Sequence, residues 1–243
     1  MNVVGIVQAR TGSTRLPGKI FLKLCDKPML WHVIDRLRQS RRITKIVVAT
    51  TTLDNDSHVE DFCRENKCDV YRGSESDVLD RYYKSASAFN ANIVVRITSD
   101  CPLIDPRVVD RVIGDFADNA RSSCGSCNVI RRTFPRGLDA EVFGFESIRK
   151  AWEKAKKLDE REHVTKYIYD HPDLFHVRNV EHTSDLSSLR WTVDERDDFV
   201  FVENIYRRLY AEGKLFHMED VLNVLDKEPQ LSAINRQVKQ KVI

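Results

Sequence analysis

Residues 8 to 19, "QARTGSTRLPGK", place Arg10, Arg15 and Lys19 on a stretch loosened by Gly12 and Gly18, directly after the apolar run Val3 to Val7. Glycines let backbone N–H groups approach a ligand closely, and guanidinium and ammonium groups neutralise oxyanions. A polyphosphate fits that equipment best. The spacing is neither that of a Walker A loop nor that of G-x-G-x-x-G, and a solvated loop with incidental cations would have the same composition. Farther along, "TSDCPLIDP" sets Asp100 after the apolar run Ile93 to Ile97 and before Pro102, and "RWTVDERDD" sets Asp194 after Leu189 to Val193. Both runs are expected to be extended segments of one sheet with their ends at one edge. Carboxylates in such places suit magnesium, which takes a few of them together with phosphate oxygens and water. Turn and cap chemistry accounts for them equally well.

The elements that must position these groups follow from the apolar pattern. Strand-length runs at Val3 to Val7, Lys45 to Ala49, Asp69 to Arg72 and Ile93 to Ile97 alternate with segments of helical period. Leu30, Val33, Ile34 and Leu37 form one helical face, Val78, Leu79, Tyr82, Tyr83 and Ala86 another, and Val108, Val109, Val112, Ile113 and Phe116 a third. That alternation predicts an α/β fold with a mostly parallel central sheet and helices on both faces. After about Asn119 the pattern changes. Leu138, Ala140 and Val142 alternate with Asp139 and Glu141 as on a half-exposed strand, so the second half is expected to be mixed. Helices are expected near Ser147 to Lys157, Glu160 to Tyr169, Asp197 to Tyr210 and Met218 to Leu225, with a further extended piece at Phe175 to Val180. Asp197 reads as the N-cap of its helix.

A chain of 243 residues, 42% hydrophobic and 31% charged, can bury a substantial core as one large domain or as one domain with an arm. Its formal net charge of +2 leaves no general basic field for a nucleic acid. No stretch approaches a membrane span, and "MNVVGIVQAR" lacks the pattern of a signal peptide, so the expected location is the cytoplasm. Six cysteines at irregular spacings then read as reduced thiols. "CGSC" at Cys124 to Cys127 has the spacing of half a zinc site or a redox pair but has no second pair of ligands.

Taken in order, "VQARTGSTRLPGK", "KLCDKPMLWHVIDRL", "VVATT" and "RITSDCPLIDP" resemble the cytidylyltransferases that make CMP-activated sugar acids, those for 3-deoxy-octulosonate and acylneuraminate, and above all the spore-coat polysaccharide branch. The likeness returns in "FPRGLDAEVF", "DEREHVT" and "RWTVDERDD". It implies a single GT-A-like nucleotidyltransferase domain over residues 1–243, with a nucleotide-binding half (1–120) and a sugar-binding, dimer-forming half (121–243). It further implies CTP and a sugar acid as substrates, Mg2+ or Mn2+ as cofactor, CMP transfer with release of pyrophosphate, and a homodimer. By that resemblance Arg10, Gly12, Ser13, Arg15 and Lys19 bind the triphosphate, and Asp100 and Asp194 the metal. Arg15, Lys19 and Asp100 are then the catalytic groups. Asp26 stands where relatives have glycine, and aspartate tolerates the left-handed turn required there.

Relatives read the base with a Gln-Gly-Asp sequence, whereas this chain has Thr98 and Ser99 before Asp100. Thr50 and Thr51, with Gln8, Ala9 and Thr98, are the remaining candidates for the nucleotide. The segments that face the sugar in relatives correspond here to Arg136, Asp139 and Glu141, and to Glu162 and His163. As plain residues, Asp139 and Glu141 read equally as the exposed face of a strand, and His163 as a satisfied helix residue. A glycosyltransferase or a non-catalytic nucleotide-sugar-binding protein are the alternatives. The first would normally show Asp-x-Asp after a strand, and the second has no need of both aspartates.

Overall fold

The computed structural model describes residues 1–240, so 241–243 of the expected domain lie outside the described residues. In chain order the elements are β1 (Val3–Gln8), β2 (Lys23–Leu24), β3 (Lys27–Pro28), α1 (Met29–Arg38), β4 (Lys45–Thr51), α2 (Ser57–Glu65), β5 (Asp69–Gly73), α3 (Val78–Ala88), β6 (Ile93–Thr98) and α4 (Pro106–Asn119). The second half comprises β7 (Gly125–Cys127), β8 (Glu141–Gly144), α5 (Phe145–Lys154), α6 (Leu158–Glu162), α7 (Lys166–Asp170), β9 (Val177–Asn179), α8 (Arg196–Leu209) and α9 (Met218–Lys227).

The main sheet has the order β5-β4-β1-β6-β8-β7-β9. Its first four strands are parallel, and β8 runs antiparallel to both β6 and β7. The mixed second half expected from the sequence is therefore present. As a central parallel strand must, β1 buries both faces: Val3 and Val7 join the core under α1, α2, α4, α8 and α9, while Val4 and Ile6 join the one under α3, α5 and α7. Parallel strands end together, and the pairing of Gln8 with Thr98 brings the loop after β1 beside the loop after β6.

Asp26 adopts φ 67, the left-handed conformation its relatives' glycine would take. Other expectations need correction. The helix expected over Glu160 to Tyr169 is two short helices, α6 and α7, broken at His163. Leu189 to Val193 is not a sheet strand and touches the chain through an isolated bridge between Arg190 and Arg136. Asp197 is not the N-cap of α8: Glu195 is, in a capping box with Asp198. Glu141 is only 4% exposed rather than on an open face. "CGSC" enters the sheet as β7, and all six cysteines are free thiols. Among the described residues no helix is long and apolar enough to cross a membrane.

Candidate active site

The loop after β1 is held from below by Asp56, just before α2. Its carboxylate accepts from the N–H and hydroxyl of Thr11 (both 2.7 Å) and from Thr51 Oγ1 (2.5 Å). Burial would raise the carboxyl's pKa, but these bonds outweigh it and hold the pKa below the usual value. Ser13 Oγ accepts from Leu16 N, and the N–H groups of Ser13 and Gly18 both reach Thr11 O. Gly18 closes the loop at φ 66, where an L side chain would be strained. Among the described residues the N–H groups of Gly12, Thr14 and Arg15 have no protein acceptor. They remain open to an anion.

Asp194 arrives by a different route. Leu189 O accepts from Arg136 N, Arg136 O from Trp191 N (2.7 Å), and Asp100 O from Val193 N (2.8 Å). This close approach requires Gly137, at φ 108, whose missing Cβ would sit 2.6 Å from Thr192 N. Asp198, with no exposed side-chain surface, then fixes the corner: it accepts from the N–H groups of Asp194 and Glu195, from Arg190 and from Asn235. The two aspartates thus converge through a strap across the sheet's end rather than as strand ends of one sheet.

Between them lies Lys19. Its Nζ stands 3.1 Å from Asp100 Oδ2, 3.0 Å from Asp194 Oδ1 and 2.8 Å from Val193 O. Asp194 also meets Arg15 (3.1 Å) and Arg190 (2.9 Å). Burial works against the Lys19 ammonium, yet the two carboxylates raise its pKa. Burial likewise disfavours the Asp194 carboxylate, yet Lys19, Arg15 and Arg190 lower its pKa. The donors around this point are all oxygen, the set that magnesium or manganese prefers. Cys101 Sγ lies 3.5 Å from Asp100 Oδ1, but burial, and next Asp100 and Asp139, push the thiol well above its usual value, so it stays protonated. Among the described residues no group of three or more His, Cys, Asp or Glu gathers for a metal. A divalent ion on Asp100 and Asp194 would complete its shell with phosphate oxygens and water.

Two cavities meet at this point. One, of about 240 Å³, is lined by Gln8, Ala9, Arg10, Gly12, Ser13, Arg15, Lys19 and Thr98. Of the residues expected to meet a nucleotide, only Thr50 and Thr51 stand away from it, fully buried, with the Thr51 hydroxyl committed to Asp56. The second cavity, of about 610 Å³, is lined by Arg136, Asp139, Glu141 and His163, while Glu162 is exposed at the end of α6 and lies outside it. Arg15, Thr98, Asp100 and Asp194 line both. In the larger cavity Asp139 is held by Arg132, and Glu141 by Arg96 and Tyr169. Arg136 has no carboxylate within salt-bridge range among the described residues and is left to face the cavity.

Several contributors escaped the sequence reading. Asp56 lies outside any motif, and Asp198, the last residue of "RWTVDERDD", is signalled only by the Glu195/Asp198 spacing of a capping box. Arg81, 1% exposed, lines the smaller cavity and forms one side-chain bond, to Ser74 O. It lies outside the apolar face expected for that helix, and no motif marks it.

The sequence profile of the cytidylyltransferase family matches residues 4–228. Over 99% of this chain and 97% of its own length, an uncharacterized protein of Methanocaldococcus jannaschii is 38% identical. The spore coat polysaccharide biosynthesis protein SpsF of Bacillus subtilis is 30% identical over 94% of this chain and 95% of its own. Among solved structures, a cytidylyltransferase from Leptospira borgpetersenii superposes with a TM-score of 0.91 at 32% identity, each chain covered completely. CMP:2-keto-3-deoxy-manno-octonic acid synthetase complexed with CTP gives 0.67 at 18% identity over 86% of this chain and all of its own, a likeness of fold. With the sheet, the strap and the paired aspartates in place, the chain is an enzyme of the nucleotidyltransferase class and belongs to the cytidylyltransferase family.

Proposed function

We propose that this enzyme transfers CMP from CTP to a hydroxyl of a sugar acid, of the 2-keto-3-deoxy or nonulosonic type, releasing pyrophosphate and supplying a surface polysaccharide. The observation that carries the reading is the meeting of the two cavities at Arg15, Thr98, Asp100 and Asp194. A nucleotide in the smaller one and an acceptor in the larger would confront each other there, and holding both removes most of the entropic cost of their encounter. CTP as donor and a sugar acid as acceptor draw support from the fold shared with the CTP-bound synthetase, and the polysaccharide from the SpsF relative.

The open amides of Gly12, Thr14 and Arg15, with the Arg10 and Arg15 side chains, hold the β and γ phosphates. Gln8, Ala9 and Thr98 line the same cavity and are assigned to the base and ribose. Arg136 receives the acceptor's carboxylate, with Asp139, Glu141 and His163 offered to its hydroxyls. The acceptor hydroxyl gives up its proton to a nearby carboxylate or to water as its oxygen bonds to the α-phosphorus and the bond to the bridging oxygen breaks, and no covalent enzyme intermediate is required. Negative charge then grows on pyrophosphate, where Arg15 and Lys19 neutralise it. Asp100 and Asp194 would hold Mg2+ or Mn2+, which when bound acts as a Lewis acid on phosphate oxygens.

We assign residues 1–120 to the nucleotide and 121–243 to the acceptor and to a homodimer contact, and place the enzyme in the cytoplasm, where nucleotides and acceptors are made. Pyrophosphate release from CTP, UTP, ATP and GTP against a panel of sugar acids tests the reading. CTP alone should support turnover, with the CMP-sugar as co-product. A folded, metal-replete preparation that releases no pyrophosphate with any pair would refute it.

A further inference from the structure

Lys19 carries two demands that its resting position does not satisfy. To neutralise pyrophosphate its ammonium must reach the leaving oxygens, and to admit a metal it must vacate the space between Asp100 and Asp194. Yet Nζ lies within 3.1 Å of both carboxylates and 2.8 Å of Val193 O. An ammonium has three N–H donors, and all three are committed here. A divalent ion cannot join it, because two cations at such separations repel strongly and compete for the same oxygens.

We propose that Lys19 is the resting occupant of the metal position, a tethered cation that holds Asp100 and Asp194 together and is exchanged for the metal–nucleotide complex in one event. The inference rests on the reading of Asp100 and Asp194 as metal ligands. Without a cation between them, two partly buried carboxylates would repel each other and their strap would loosen. With Lys19 in place, free metal meets a neutralised site and binds poorly. The triphosphate changes this balance, because it offers the ammonium a new set of oxyanions and at the same time delivers a metal to the carboxylates.

The movement is local. Gly18 at φ 66 and the bond from Lys19 N to Leu16 O (3.2 Å) fix the backbone, so only the flexible four-carbon stem need turn. Arg15 is held more loosely, its side chain 35% exposed against 12% for Lys19, and moves toward phosphate without opening the site. Lys19 therefore sets the order of addition as well as stabilising the leaving group.

Calorimetric titration of Mn2+ into the nucleotide-free, full-length protein separates the possibilities. Lys19→Met keeps the length of the stem and removes the charge, and it should bind Mn2+ at least tenfold more tightly than wild type. Adding Asp194→Asn should abolish that gain. Lys19→Met binding no more tightly than wild type would overturn the exchange. A gain that survives Asp194→Asn would instead show that the metal sits elsewhere, and the exchange at Lys19 would fall together with the reading of the two aspartates, whereas failure of the first comparison overturns the exchange alone. Thermal unfolding establishes that each variant is folded. Should Lys19→Met not fold, Lys19→Gln, which leaves a neutral donor between the carboxylates, gives the same comparison with the same two outcomes.

Discussion

The two sides of the site are built by different means. The loop from Ala9 to Lys19 leaves a strand buried on both faces, and its place is set by the register of β1 against β6 together with Asp56, the carboxylate that holds the Thr11 backbone. The strap from Leu189 to Asp194 has no strand to fix it. Its place is set by Asp198, Arg190, Gly137 and backbone bonds to Arg136 and Asp100. A sheet edge tolerates the loss of one polar contact, whereas a strap held by buried charges does not.

Asp198→Ala should break the contrast most severely. It strips its main carboxylate partner from Arg190, whose side chain is only 9% exposed, and removal of one member of a buried pair costs about 3–5 kcal/mol. Urea unfolding should register that loss together with loss of activity. Asp56→Ala, on the sheet-edge side, should cost less stability.

Next come Lys19→Ala and Arg15→Ala, expected to raise the barrier by about 2–4 kcal/mol, the range for lost electrostatic stabilisation of a transition state. Arg15 is partly exposed, so its variant should unfold close to wild type, and wild-type rates in folded variants would remove the triphosphate assignment.

Acid probes the seam between the halves, where His32 of α1 packs edge-on against Tyr206 of α8 and its Nε2–H donates to Leu24 O at 2.7 Å. Burial lowers the His32 pKa to about 4. The folded state therefore favours the neutral ring, so this stabilisation is whole above the unfolded value near 6.5 and is lost as pH falls from there toward 4. The shift amounts to roughly 3 kcal/mol. His32→Gln should flatten the fall in stability measured by urea between pH 7 and 4, and an unchanged slope would remove His32 from the account.

Smallest of all is Arg136→Ala, for which we expect about 1–3 kcal/mol, the worth of a charge-assisted bond. The loss should appear in KM for the acceptor and leave KM for CTP alone. A rise in both would place Arg136 on the nucleotide instead.

The same contrast explains what could be read from the chain. An apolar run that stops at Gln8 and yields to glycine and arginine announces a strand and its loop, because both signals are local. Asp26 could be assigned a left-handed turn for the same reason. Leu189 to Val193 looks like a strand, yet its partners, Arg136 and Asp100, lie 53 to 93 residues away, and no periodicity reports them. Glu141 alternates as an exposed residue would, but its distant partner Arg96, on the neighbouring strand, draws it inside. The helix expected over Glu160 to Tyr169 is divided into two pieces with separate distant partners, Arg161 on Asp77 of the α3 cap and Tyr169 on Glu141. Long-range ion pairs decide the acceptor side, and they leave little trace in sequence.

The central claim is that Asp100 and Asp194 act as one unit in metal-dependent cytidylyl transfer. Magnesium-dependent pyrophosphate release by Asp100→Asn, by Asp194→Asn and by the double variant tests it most directly. Each single change should abolish turnover, and the double should be scarcely worse than either, as for groups that work together. Modest losses that add in the double variant, with magnesium dependence unchanged, would contradict it.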